Sequence, residues 1–141
     1  PGLKFSINGG VETLQDVEDQ LSHGVHGVMV GRAVINRPWA WSQVDTRIYG
    51  EAENPALNRR QVLEAYSVYA DREFARAEAE NPRYAPSLRR NLIRHTANFF
   101  ASERNGKRYR VELDAGMGDK RLKPSRAIHQ AMEVLEDAIL D

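Results

Sequence analysis

The sequence predicts an α/β fragment, a piece of a larger parallel sheet or barrel, followed by an all-α helical bundle, with helix dominant overall. Three observations carry this reading. Residues 1–50 alternate short apolar runs with helical periodicity over short connections. Residues 51–55, Glu-Ala-Glu-Asn-Pro, interrupt the pattern and read as a linker. Beyond Asn58 the apolar repeats follow the helical period alone. The predicted domains are therefore residues 1–52 and 56–141.

The first domain is read element by element. Residues 3–7, LKFSI, form an apolar run that stops at Asn8-Gly9-Gly10, a strong breaker, and read as a short strand. Thr13 can cap a helix, with Asp16 three residues on as its capping-box partner. Leu14, Val17 and Leu21 fall on one face of that helix, and Gly24 ends it. Residues 27–30, GVMV, read as a second buried strand, which stops on Gly31-Arg32. A short helix follows around residues 38–44, with Pro38 in its first turn. Strand, helix and strand with short connections imply parallel strands joined by a crossing helix. Two parallel strands cannot cover both of their faces, so they belong to something larger.

In the second domain Asn58 caps a helix, with Gln61 three residues on and Val62, Tyr66, Tyr69, Ala70, Phe74 and Ala77 inward. Asn81-Pro82 breaks it. Pro86 starts the next helix, with Leu88, Leu92, His95, Thr96, Phe99 and Phe100 inward and Asn105-Gly106 as its stop. A short helical piece is expected at residues 108–113 and a loop at 115–119. Ser125 caps a last helix carrying Ile128, Met132, Leu135 and Ile139 at helical spacing.

Composition narrows the function classes. Of 141 residues, 41% are hydrophobic and 28% charged, which suits a globular chain. No run approaches the roughly 20 apolar residues of a membrane span, and no signal peptide is visible. A first residue of Pro instead of Met points to a fragment or processed product. With no cysteine, disulfides, thiolate metal sites and cysteine nucleophiles are excluded. The four histidines, His23, His26, His95 and His129, lack metal spacing, and His95 reads as a hydrogen-bonded core residue. Trp39 and Trp41 read as packing residues. Residues 115–120 are not a P-loop, because the GxxxxGK[ST] spacing is missing.

Net charge is zero but unevenly spread. Residues 1–54 carry four Lys/Arg against seven Asp/Glu, residues 83–110 eight against one, and residues 111–141 four against seven. A basic segment of this kind suits a polyanion or forms a solvated helix face. Arg89, Arg90 and Arg94 are placed on the polar side of their helix, and Lys107, Arg108 and Arg110 follow beyond its end. Cations so placed could meet successive phosphates, with steep salt dependence. Tyr109 could stack on a base or ribose or simply pack.

The glycines mark a second candidate site. Ligands of α/β barrels sit at the C-terminal ends of strands, and phosphate often binds in the loops after the last two. Glycine there lets backbone N–H groups approach an anion. A following helix N-terminus adds partial positive charge, and an arginine adds a fork of donors. Asn8, Gly9, Gly10, Gly31 and Arg32 are the candidates, and a plain turn with a surface arginine is the alternative.

INGGVETLQDVEDQL followed by GVHGVMVGRAVINRPWAW, with LIRHTANFF and NGKRYRVEL later, resembles the tRNA-dihydrouridine synthases over nearly the whole chain, and within them the tRNA A-loop subgroup. NGG and GR are shared with other flavin barrels; RH-x(3)-FF and GKRYR single out this family. The resemblance implies flavin-dependent reduction of uridine in tRNA, with FMN as cofactor and NADPH as electron donor. It implies that residues 1–52 are the last two β/α units of an FMN-binding TIM barrel and residues 56–141 a helical tRNA-binding domain. Asn8, Gly9, Gly10, Gly31 and Arg32 would then hold the FMN phosphate. Arg108 and Arg110 would lie near tRNA, with Lys107, Arg94, Arg90 and Arg89 on the same basic segment. The Arg-Tyr-Arg spacing is tighter than the family pattern, which bears on Arg108 and Arg110 individually.

The family's catalytic cysteine has no counterpart here, so the resemblance assigns this chain no catalytic residue and predicts that it is inactive alone. A monomeric, cytoplasmic, metal-free protein is implied. Two other classes fit the residues: a different FMN- or phosphate-binding barrel oxidoreductase, and a stand-alone helical RNA-binding module.

Overall fold

The structure, a computed structural model, describes residues 2–141. The chain forms two compact units, one running to Pro55 and the other spanning Ala56–Asp141. Helix dominates, and two short strands are present among the described residues.

In the first unit the order is β1 (Ser6–Asn8), α1 (Leu14–Ser22), β2 (Gly27–Met29), α2 (Arg32–Asn36), a 3-10 turn (Pro38–Trp41) and α3 (Val44–Ile48). The strands pair in parallel, with Ser6 opposite Gly27, Ile7 opposite Val28 and Asn8 opposite Met29. Both are shorter than the apolar runs predict. Leu3 and Phe5 lie before the paired stretch and are exposed. The capping box forms as expected. Thr13 Oγ1 accepts the Asp16 N–H at 3.1 Å, and the Asp16 carboxylate accepts the N–H groups of Glu12 and Thr13 at 3.0 and 2.9 Å. The Glu12 and Thr13 bonds hold the Asp16 carboxyl below its usual range. Between α1 and the strands lies a core of Val11, Leu14, Val17 and Trp41, with Ile7, Val28, Val30, Val34 and Val44 packed against it. An Arg47 fork on Glu18, at 2.8 Å through each nitrogen, joins α3 to α1.

In the second unit are α4 (Arg59–Glu80), α5 (Ala85–Arg94), α6 (Gly106–Gly118), α7 (Pro124–Met132) and α8 (Asp137–Leu140). Asn58 caps α4 by accepting the Gln61 N–H at 2.9 Å. The core gathers Leu63, Ile93, Phe100, Tyr109, Leu113, Ile128 and Leu135. Tyr109, fully buried, meets the Phe100 ring edge to face at 4.8 Å and donates to Thr96 Oγ1 at 3.0 Å. Of the two roles open to it, the packing role is the one it fills.

Several expected elements move, each for a tertiary reason. The inward face of α4 runs through Leu63, Ser67, Ala70 and Ala77, leaving Tyr69 exposed. The inward face of α5 is Ala85, Arg89, Leu92 and Ile93, so His95, at its C-cap, is exposed and not a core residue. Asn105-Gly106 opens α6 and does not close α5, which ends at Arg94. A Cβ at Gly106 would stand 2.0 Å from the Phe100 carbonyl oxygen, so close approach to the preceding turn requires glycine there. α6 runs on to Gly118 and absorbs the expected loop. The last helix breaks in two, because Glu136 adopts an extended conformation before α8. Ser125 is not the cap of α7. Its N–H and hydroxyl both donate to the Asp71 carboxylate of α4, at 2.9 and 2.6 Å, so the helix start is held from outside.

Burial pushes the Tyr109 hydroxyl up to about 12, opposed by the Thr96 bond. Burial also pushes Tyr66, which donates to the Leu92 carbonyl, up to about 12. A pKa raised on folding means stability fully present below the ordinary tyrosine value of 10.0 and lost as pH climbs towards about 12. Urea unfolding followed upward from about pH 9 should show that decline, and Tyr109→Phe should flatten it.

Candidate functional site

Because the strands are parallel, the chain leaves both at the same end. Asn8 stands opposite Met29, so the loop after β1 and the loop after β2 begin side by side. They enclose a cleft of about 460 Å3. All five predicted residues, Asn8, Gly9, Gly10, Gly31 and Arg32, line it. Gly9 and Gly10 have φ of 109° and 70°, in the region where an L side chain costs roughly 1–2 kcal/mol. Their conformation, and not crowding, demands glycine, since an added Cβ would meet nothing within 4 Å at either. Gly31 differs. Its φ is −113°, and a Cβ there would touch only the Met29 thioether, at 3.8 and 3.9 Å. The protein's own packing therefore does not require glycine at this position.

Arg37 and Asn36 also line the cleft and were not predicted. The available signal was Pro38: a residue before proline is pushed towards extended backbone. Arg37 has φ −144° and ψ 68°, which ends α2 and places the residue at the cleft. Among the described residues neither Arg32 nor Arg37 has an ion-pair partner, and Glu12 is the acid in the lining. The lining holds no histidine, lysine, tyrosine or hydroxyl side chain. With two arginines and glycine backbone beside a single carboxylate, Glu12, the cleft is equipped to hold an anion.

The predicted basic residues separate. Arg90 and Arg94, one helical turn apart, lie exposed on α5 and border a groove against α4 and α6. Lys107, Arg108 and Arg110 are exposed on α6. Arg108 and Arg110 are two positions apart, about 200° around the helix, so they face different ways. Among the described residues none of these five has an ion-pair partner, whereas Arg59, Arg60, Arg76 and Arg104 pair with Glu103, Asp137, Glu73 and Glu136.

Arg89 is a correction. It is 4% exposed and does not lie on the polar side of α5. Its guanidinium donates to the carbonyls of Leu122, Met117, Gly116 and Asp119, at 2.7, 3.0, 2.9 and 2.7 Å. These include the last acceptors of α6, which the helix itself leaves without partners. Burial lowers its pKa, with the Asp119 charge opposing. Arg121 bonds hold Asp119 itself at about 2.

Among the described residues, no group of three or more His, Cys, Asp or Glu could hold a metal, and no helix is long and apolar enough to cross a membrane. The family model described as Dihydrouridine synthase (Dus) matches residues 1–135.

The chain belongs to the dihydrouridine synthase family.

Relatives named tRNA-dihydrouridine(20/20a) synthase agree with that assignment. The Vibrio vulnificus protein is 31% identical over 91 residues, covering 64% of this chain and 26% of its own length. The Vibrio parahaemolyticus protein is 25% identical over 137 residues, 97% of this chain and 36% of the relative. The Salmonella typhi protein is 26% identical over the same extent, 97% of this chain and 38% of the relative. The chain thus spans between a quarter and two fifths of the length of these relatives.

The buried arginine makes a direct prediction. Lysine lacks the fork needed to reach four carbonyls, and each acceptor left buried and unpaired costs about 1–3 kcal/mol. Arg89→Lys should lower the urea midpoint accordingly, and Arg89→Leu should lower it further.

Proposed function

We propose that this chain is the cofactor-phosphate and RNA-binding portion of a flavin-dependent tRNA-dihydrouridine synthase. In this reading the first unit is the last two β/α units of a TIM barrel and the second a helical tRNA-binding bundle. The exposed Leu3, Phe5 and Met29 support a sheet that continues beyond two strands. The target uridines are those in the relatives' names, at positions 20 and 20a.

The observation that carries the proposal is the convergence of two glycine loops and two unpaired arginines on one cleft. That donor set fits the terminal phosphate of FMN. Gly9 and Gly10 keep the first loop free of side chains, Gly31 does the same at the second, and Arg32 and Arg37 supply charge. When bound, a flavin would supply the hydride-transfer chemistry for a uracil ring, with NADPH as the electron source. This chain's residues anchor and orient. With no cysteine in the sequence, the acid that protonates the ring belongs to parts of the relatives that this chain does not match. Arg90, Arg94, Lys107, Arg108 and Arg110, unpaired within the chain, supply the contacts to RNA phosphates.

Two variants separate the two roles. Arg32→Glu should abolish FMN binding and leave tRNA binding intact. Arg90→Glu with Arg94→Glu should weaken tRNA binding, flatten its salt dependence by about one log–log unit per lost phosphate contact, and leave FMN binding intact. Reduction of uridine in tRNA by the purified chain alone would overturn the division of labour.

A further inference from the structure

The groove beside Arg90 and Arg94 has a chemistry that phosphate contact alone does not use. It lies between the end of α4, the start of α5 and the last turn of α6, and measures about 730 Å3. That is within the roughly 300–1,000 Å3 of small-ligand pockets. Its inner lining is apolar: Ala85 is buried, and Phe74 and Met117 are half-buried. Pro82 and Pro86, both exposed, extend the apolar wall outward. The cations are Arg90, Arg94 and Lys120, and the carboxylates are Glu78 and Asp114. None of these five charged groups has an ion-pair partner among the described residues, although they line one groove. Arg89 lines it too, but its donors are committed to carbonyls.

We infer that this groove seats a single unstacked nucleotide of a bound RNA, the base against Phe74 and Met117 and its phosphate at Arg90, Arg94 and Lys120. The inference rests on the RNA-binding reading above and adds a base pocket to it. Three features select the ligand together. The apolar wall takes the flat face of a base, as aromatic side chains do in single-strand recognition. The cations take the phosphate. Glu78 and Asp114 can accept from the N–H edge of a base, as acidic side chains do from exocyclic amines. A sugar phosphate would leave the apolar wall unused, and an uncharged apolar ligand would leave the cations unpartnered. The pocket is also open where a plug can be tested. A Cβ added at Gly118, in its lining, would meet nothing within 4 Å.

The test uses the full 141-residue chain and two RNA hairpins, one with a single bulged 2-aminopurine and one with an abasic site in its place. The chain should change the 2-aminopurine emission on binding and prefer the base-bearing hairpin by about tenfold or more. Gly118→Phe, which fills the groove without altering charge, should bind both hairpins with the affinity of the abasic one. Pro82→Trp, outside any helix, is the second plug should Gly118→Phe lower the melting temperature. Equal affinity of the unmodified chain for the two hairpins, or a preference that survives both plugs, overturns the base pocket while leaving phosphate-mediated RNA binding in place. Failure to bind either hairpin overturns both.

Discussion

The parallel register of β1 on β2 decides where the candidate cleft forms. Three paired residues on each strand bring Asn8 level with Met29, and from there two glycine loops diverge around one cleft. Helix α1 sets that register by returning the chain across the sheet, the only short way to make the second strand parallel to the first. Its capping box fixes where the return begins, and Leu14 and Val17 press it onto the apolar strand face. An error of one residue in this pairing would turn the side chains of β2 to the opposite face and displace Arg32 and Arg37 with them.

The helical unit is organised around a different constraint, the disposal of a buried charge. Arg89 spends its donors on carbonyls at the end of α6, which fastens that end to α5. Met117 and Gly118 are thereby held beside Pro86 and Arg90, and the groove between the helices exists because of that fastening. The neighbouring Arg90 and Arg94 point elsewhere and remain unpaired. Within one helix, the buried Arg89 and the exposed Arg90 are consecutive residues about 100° apart around the axis, and Arg94 lies one turn beyond Arg90.

What could be read in the sequence was local. The Thr13–Asp16 box, the Asn58 cap and the glycines at 9, 10 and 31 depend on neighbours a few residues away, and all take up the positions expected of them. The structure places the five candidate cleft residues together. What escaped depends on distant partners. Arg89 reads as surface charge because its acceptors, backbone carbonyls some 27 to 33 residues on, leave no mark in the side-chain pattern. Asn105-Gly106 reads as a helix stop, yet Gly106 is there because the Phe100 carbonyl comes so close. Ser125 reads as a cap, but Asp71 on another helix does the capping. Arg37 was missed although Pro38 after it marks extended backbone there.

If this cleft holds a flavin through its phosphate, as proposed, FMN and riboflavin, which lacks that phosphate, should behave differently. With the chain labelled for NMR, FMN should bind and shift the amide resonances of Gly9, Gly10 and Gly31, while riboflavin at the same concentration leaves them unmoved. Equal binding of the two flavins, or FMN shifts confined to residues outside the cleft, would contradict it.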